Sequence, residues 1–245
     1  MKGLILAIQF LTRIPLPLSV PMDDKTLRQS LFFFPWVGTL IGVILFLGMH
    51  IFRRYVPEGM MGYLILLLWM FVVGGIHLDG VADTWDGFFS HTPRERTLEI
   101  MKDSRLGTFG GVGLILLLLG KYVGITHLQG DLFSWMLIPG GARLANLFAL
   151  TFCKNARPGG MGDMFARTQP KPFVLATAVL FLTMAFTFAV GTNRFFPLCI
   201  LLAQGLTVGW IAFISYKKIG GLTGDVYGLN VETTELVGLF VAALL

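Results

Sequence analysis

Residues 62–87 read GYLILLLWMFVVGGIHLDGVADTWDG, and the abrupt step inside that stretch decides how the chain folds. Tyr63 to Val73 is an unbroken apolar run, and Asp79, Asp83 and Asp86 follow it with no polar linker between. A helix rising about 1.5 Å per residue needs roughly 20 apolar residues to cross a hydrocarbon layer near 30 Å. The run is therefore expected to be most of a membrane span, near residues 60–78, that delivers acids straight to one membrane face.

The rest of the chain repeats this pattern. Of its 245 residues 55% are hydrophobic and 13% charged, with a mean hydropathy of +0.74, whereas soluble domains carry about 25% charge. There is too little polar surface to cover a water-soluble globule. Apolar blocks bounded by charge, proline or glycine predict further spans near 31–52, 108–127, 132–152, 173–191, 195–215 and 234–245. The fold class expected is all-α, a polytopic transmembrane bundle of about seven spans forming one integral-membrane domain over residues 1–245. The last span is short and carries Glu235. Residues 1–11 lack a small-residue cleavage site before Thr12 and Arg13 and are expected to form a short membrane-surface helix.

Seven crossings sort the basic residues by side. Lys2, Arg13, Lys25, Arg28, Arg94, Arg96, Lys102, Arg105, Lys154, Arg157, Arg167, Lys171, Lys217 and Lys218 fall on one side; Arg53, Arg54, Lys121 and Arg194 fall on the other. The positive-inside rule then puts the N-terminus in the cytoplasm. It also accounts for the net charge of +5 without a nucleic-acid partner. Of the acids only Glu58 and Asp131 lie on the outer side, so both signs of charge converge on the cytoplasmic stretches 77–107, 153–172 and 216–235, where the chemistry is expected.

In the first stretch, Asp79, Asp83 and Asp86 occupy i, i+4 and i+7, one stripe of a helix. Three like charges so placed repel, and a hard divalent cation with oxygen ligands offsets them. Thr92, Pro93 and Glu95 read as the capped start of a short helix running to Lys102-Asp103-Ser104-Arg105. An acid between two bases reads either as a phosphate clamp with a fourth metal ligand or as interfacial anchoring. In the second stretch, Lys154-Asn155-Ala156-Arg157 precedes the glycines 159, 160 and 162 and Asp163, which reads either as a phosphate-binding loop whose backbone N–H groups approach an anion or as a flexible cytoplasmic loop. The third holds Gly220, Gly221, Gly224, Asp225, Gly228, Asn230, Glu232 and Glu235. It reads as a second metal-binding or base-supplying element, or else as a charged hairpin.

Arg143 stands inside an apolar span beside Gly140 and Gly141, where a charge is expensive and marks function or a buried partner; an aspartate or a substrate phosphate is the expected partner. His77, His91, His50 and His127 share no ligand spacing. Cys153 and Cys199 stand alone and read as small core residues. Gly38 and Gly42 have the spacing of close helix packing. The aromatic residues read as lipid-facing or core.

Together, HLDGVADTWDG, KDSRLGTFG, the NARPGGMG loop and GGLTGDVYGLNVETTE resemble, in order and over most of the chain, the cobalamin synthase family, the cobalamin 5′-phosphate synthases, also called adenosylcobinamide-GDP ribazoletransferases. The resemblance implies a magnesium-dependent transferase of the bacterial inner membrane, with its active site facing the cytoplasm. It implies the joining of adenosylcobinamide-GDP to α-ribazole or its 5′-phosphate with release of GMP, late in cobalamin biosynthesis. Metal ligands are then expected in Asp79, Asp83, Asp86 and Asp103, and substrate contacts in His77, Lys102, Arg105, Arg143, Asn155 and Arg157. The general base is expected among Asp86, Asp225 and Glu232. Homo-oligomerisation stays open. DGVAD is also similar to the opening of the CDP-alcohol phosphotransferase signature, but the arginine and later acids of that signature are missing. A secondary transporter would place such charges at the midplane or on inverted repeats, and no repeat is visible.

Overall fold

A computed structural model describes residues 1–128, 131–157, 159–168 and 171–245. The described residues form helices and no strand: α1 (Lys2–Leu11), α2 (Asp24–Phe52), α3 (Glu58–Val73), α4 (Ile76–Phe89), α5 (Arg94–Ile100), α6 (Thr108–His127), α7 (Leu132–Phe152), α8 (Met161–Arg167), α9 (Lys171–Thr192), α10 (Phe196–Ile219) and α11 (Gly224–Leu244). The all-α reading holds, and so does the membrane reading. Helices α2, α6, α9 and α10 are long and apolar enough to cross a bilayer, and the bent pair α3–α4 makes at most a fifth. Their outward residues, among them Ile115, Leu119, Val179, Phe186, Leu206 and Trp210, are exposed and apolar, as lipid-facing side chains should be.

Three boundaries differ from those expected. The span near 60–78 stops at Val73, because Gly74 and Gly75 both adopt left-handed backbone (φ +75° and +68°). That conformation costs L-residues about 1–2 kcal/mol each, and glycine essentially nothing. The chain turns by 96° there, and α4 sets off across the bundle instead of prolonging α3. The turn is hidden from hydropathy because Ile76, Leu78 and Val81 remain apolar.

The final segment starts at Gly224 rather than 234, capped by the Thr223 hydroxyl accepting from the Val226 N–H. Its 21 residues reach about 31 Å, so α11 is a full-length helix with its acids turned inward. Hydropathy alone cuts it at Glu235. Helix α7, also 21 residues, likewise contains a buried charge. The third difference is α5, which ends at Ile100 and has no side-chain cap. Thr92 instead bonds laterally to Ser90 and Thr97, so the capping box does not form.

The bundle closes through small residues. Helix α2 packs along α7, and a methyl group on Gly42 would overlap the Trp135 carbonyl while one on Gly38 would overlap the Pro139 carbonyl. Pro139 has no N–H to offer the Trp135 carbonyl four residues earlier, so that carbonyl is free to meet the neighbouring helix. Gln204 of α10, fully buried, donates to the Ile138 carbonyl of α7 (2.8 Å) and the Thr234 carbonyl of α11 (3.3 Å). Helix α1, too short to span, lays Leu6, Ala7 and Leu11 against the bundle beside α2.

Gly42→Ala is expected to destabilise the detergent-held protein by about 1–3 kcal/mol, the usual penalty of overpacking. Gly209→Ala on α10, where a methyl meets open space, should instead be neutral or add about 0.5–1 kcal/mol. Thermal unfolding of the two variants side by side checks the contrast.

Candidate active site

Helix α4 owes its position to glycine on every side. Where it crosses α11, a methyl on Gly80 would lie 2.6 Å from the Asp225 carbonyl and one on Gly228 would lie 3.0 Å from the His77 carbonyl. The two helices touch backbone to backbone, which sets Asp225 beside the acidic stripe of α4. On its other flank, Trp85 lies over Gly113 of α6, and the Asp86 carboxylate accepts the backbone N–H groups of Gly107 and Gly110, both at 2.8 Å. An acid on the exposed donors of a helix N-terminus stabilises that end. Asp86, expected as metal ligand or base, thus has both oxygens engaged in anchoring α6.

The second and third polar stretches are brought together by a single parallel bridge, Asn155 to Leu222. The Ala156 N–H donates to the Leu222 carbonyl (2.7 Å) and the Leu222 N–H donates to the Lys154 carbonyl (2.9 Å). Bare Gly221 permits this, since a methyl there would sit 2.5 Å from the Lys154 carbonyl. As a result Arg157 reaches Asp225 at 3.7 Å. Arg94, at the start of α5, lies against Gly220, so all three stretches meet at one end of the bundle, as the clustering of charge suggested.

Between them is a cavity of about 250 Å³. Its polar wall includes His77, Asp79, Arg143, Asn155, Arg157 and Asp225; its apolar wall includes Phe10, Phe34 and Phe165. The three phenylalanines pack on one another at 5.0–5.8 Å between ring centroids. Among the described residues, six buried atoms of the lining have no hydrogen-bond partner: His77 Nδ1, Arg143 Nε and Nη2, Asn155 Nδ2, Arg157 Nη1 and Tyr227 Oη. Buried polar groups in folded proteins are almost always paired. Four of these atoms are N–H donors on Arg or Asn, the complement of a ligand rich in anionic oxygens.

Asp83 lies just outside this lining. It shares the acidic stripe of α4 with Asp79 and Asp86, and the charge of Asp225 is near. A cation would relieve that crowding. Among the described residues no three histidine, cysteine or acidic side chains converge tightly enough to hold a metal alone. Magnesium, however, is commonly held by one or two carboxylates plus substrate phosphate and water, and Asp79 and Asp225, with Asp83 adjacent, fit that donor set.

Other expected residues lie elsewhere. Lys102 and Arg105 are exposed and, with Asp103, stand outside the cavity lining. Asp103 and Arg105 form a closed fork with contacts at 2.5–3.1 Å, which holds the Asp103 carboxyl down at about 2. Because α5 stops at Ile100, this pair is left in the turn before α6 rather than aimed at Asp79 and Asp83.

Glu232 is buried in an ion network: Lys121 Nζ lies 2.5 Å from both Glu232 and Glu235, and Arg143 Nη1 lies 2.6 Å from Glu235. Glu232 is therefore a charge partner, not a free base. Arg143 pairs with a glutamate and not with the expected aspartate. Lys121, assigned by alternation to the outer side, is in the core at 3% exposure.

Asn146, Asp163 and Tyr227, to which the sequence assigned no individual role, also stand in the lining. Asn146 accepts from Asn230 (3.3 Å), and a polar pair in apolar helices was its only signal. Asp163 accepts the Gly159 N–H and pairs with Arg167, contacts that hold its carboxyl low.

The sequence matches the family described as cobalamin-5-phosphate synthase over residues 3–243. It is 39% identical to a Treponema denticola protein named adenosylcobinamide-GDP ribazoletransferase, covering 98% of this chain and 96% of that one. Proteins of the same name from Caldanaerobacter subterraneus and Clostridium botulinum are 36% and 34% identical, each covering the whole of this chain and 99% and 98% of their own. No solved structure matches. With the match running nearly end to end and through every segment of the cavity wall, the chain belongs to the cobalamin-5-phosphate synthase family.

Proposed function

We propose that the protein joins adenosylcobinamide-GDP to α-ribazole or its 5′-phosphate, releasing GMP, at the cytoplasmic face of the bacterial inner membrane. One observation carries this reading: four N–H donors from Arg143, Asn155 and Arg157, without a partner among the described residues, share a cavity with Asp79 and Asp225. That is a site for a pyrophosphate, with carboxylates available to a divalent cation and to a proton. The relatives' name supplies the two substrates.

In the reaction so read, a hydroxyl of the ribazole attacks the phosphorus bonded to the cobinamide side of the pyrophosphate. A new P–O bond forms, the bond to GMP breaks, and the hydroxyl proton passes to a carboxylate. Asp225 is the base we assign, because Asp86 and Glu232 are engaged elsewhere. Arg143, Asn155 and Arg157 hold phosphate oxygens in line and meet the charge that builds on the leaving group. Magnesium, held by Asp79 with Asp83 beside it, would neutralise pyrophosphate charge. The aromatic wall of Phe10, Phe34 and Phe165 offers an apolar surface to the base of the nucleoside, and His77 and Tyr227 contribute polar contacts.

The orientation belongs to the same proposal. With Lys121 removed to the core, the basic residues outside the bundle divide 14 against 3, which favours the N-terminus and the cavity end in the cytoplasm. Seven crossings require α7 and α11 to span; their length allows it, and their charges are paired inside.

Purified protein in nanodiscs, supplied with adenosylcobinamide-GDP, α-ribazole 5′-phosphate and magnesium, is expected to release GMP, and EDTA should abolish the release. Absence of GMP from a folded, magnesium-replete sample would overturn the reading. Asp79→Asn, Asp225→Asn and Arg157→Ala should each lower kcat by about 10²–10³-fold, the usual effect of removing a proton acceptor or a charge-stabilising donor. Asp103→Asn and Arg105→Ala, which alter an exposed ion pair, should leave turnover unchanged. Steady-state kinetics on variants with retained thermal unfolding separates the two groups.

A further inference from the structure

We propose that Lys121, Glu232 and Glu235 form a clamp that positions Arg143, electroneutral once the guanidinium is included, with Lys121 a positioning residue that never meets substrate. The inference rests on the reading of the cavity as a pyrophosphate site and goes beyond it. It assigns a function to a mid-helix lysine and to two glutamates outside the cavity wall.

Lys121 on α6, Arg143 on α7 and Glu232 and Glu235 on α11 are 3%, 2%, 5% and 1% exposed. Two cations and two anions sum to zero, which is how such charges are tolerated away from water. Lys121 stands at the hub. Its ammonium donates to Glu232 Oε2 and to Glu235 Oε2 and lies 4.5 Å from the ring centroid of Trp69 on α3.

From this hub, two arms reach the cavity. Along one, Glu235 uses its other oxygen, Oε1, to hold Arg143 Nη1, which also donates to the Pro139 carbonyl at 2.9 Å. A guanidinium is planar, so two acceptors on Nη1 set the direction of the opposite edge. That edge, Nε and Nη2, has no partner among the described residues, and Arg143 lines the cavity. Along the other arm, Glu232 Oε1 lies 3.8 Å from His77 Nδ1, again a cavity residue.

The ammonium also keeps the two carboxylates satisfied. Glu232 and Glu235 sit at i and i+3, so their charges repel, and Lys121 occupies the space between them. Without it, Glu232 keeps a buried negative charge whose strongest available partner is Arg143. The free edge of the guanidinium would turn to Glu232 and be lost to substrate. Removing the charge of Glu232 along with that of Lys121 leaves a neutral Glu235–Arg143 pair, and the edge stays free.

The test compares Lys121→Met with Lys121→Met/Glu232→Gln in nanodiscs, measuring kcat, KM for each substrate and thermal unfolding. For Lys121→Met the KM for adenosylcobinamide-GDP should rise about ten- to a hundredfold, the value of one or two hydrogen bonds to a charged group, with KM for α-ribazole 5′-phosphate unchanged. The double variant should return to within about threefold of wild type, since the donor edge it restores is worth the whole of that change. A merely structural lysine would lower stability without separating the two KM values.

If the single variant does not fold, the double variant decides alone: folded with near-wild-type KM supports the clamp. A double variant that fails to fold, or that folds with KM still raised, overturns it, as does a single variant with both KM values unchanged. Wild-type protein that releases no GMP would instead refute the underlying reading of the cavity.

Discussion

The interaction on which the rest of the structure depends is the pairing of Lys121 and Arg143 with Glu232 and Glu235. In a low-dielectric interior none of these charges is tolerable singly, and removing one partner from such a group is far more damaging than never having had it. Because the four residues sit on α6, α7 and α11, with Trp69 of α3 beside Lys121 and His77 of α4 beside Glu232, the requirement that they meet sets the register of five helices at once. Buried ion pairs add little net stability compared with well-packed apolar side chains. Their effect here is positional: the registers they impose leave the unpartnered edge of Arg143 in the cavity wall.

Glycine makes those registers reachable. Helix α4 has to approach α11 at Gly80 and Gly228 and α6 at Gly107, Gly110 and Gly113, distances at which a methyl on any of these glycines has no room. In the same way Gly38 and Gly42 seat α2 on α7, which supports the segment carrying Arg143. The bend at Gly74 and Gly75 completes the arrangement, since α4 extended straight from α3 would carry Asp79 and Asp83 away from Asp225 and Arg157. Small residues and buried charges therefore act together, with the first setting how near the helices come and the second how they are aligned.

Much of this was legible before any coordinates. The apolar runs located the helices, the small-xxx-small spacing of Gly38 and Gly42 marked a tight interface, and the intrusion of Arg143 into an apolar span marked a polar interior. The gathering of acids and bases into three stretches marked the end of the bundle where the cavity lies. Asp79, Asp225, Asn155, Arg157 and His77 were all singled out and all line the cavity wall. The charged residues that the structure engages with other partners share a feature. Asp86, Asp103, Glu232 and Lys121 were judged by residue type and local spacing, and those are the same for a carboxylate that awaits a metal as for one that caps a helix or neutralises a lysine.

What the sequence by itself determined is therefore what is encoded locally: helical class, membrane solubility, the approximate extent of the apolar helices, and which stretches are rich enough in charge to be functional. Hydrophobic burial and backbone propensity act over a few residues, so they can be read along the chain. Only the tertiary structure decided which charges are spent on each other and which remain free for a ligand. Arg143 meets Glu235 across 92 positions, and Lys121 meets Glu232 and Glu235 across 111 and 114. In a low-dielectric interior the state of a charged group is set by the partner a few ångströms away, and only folding determines which partner that is.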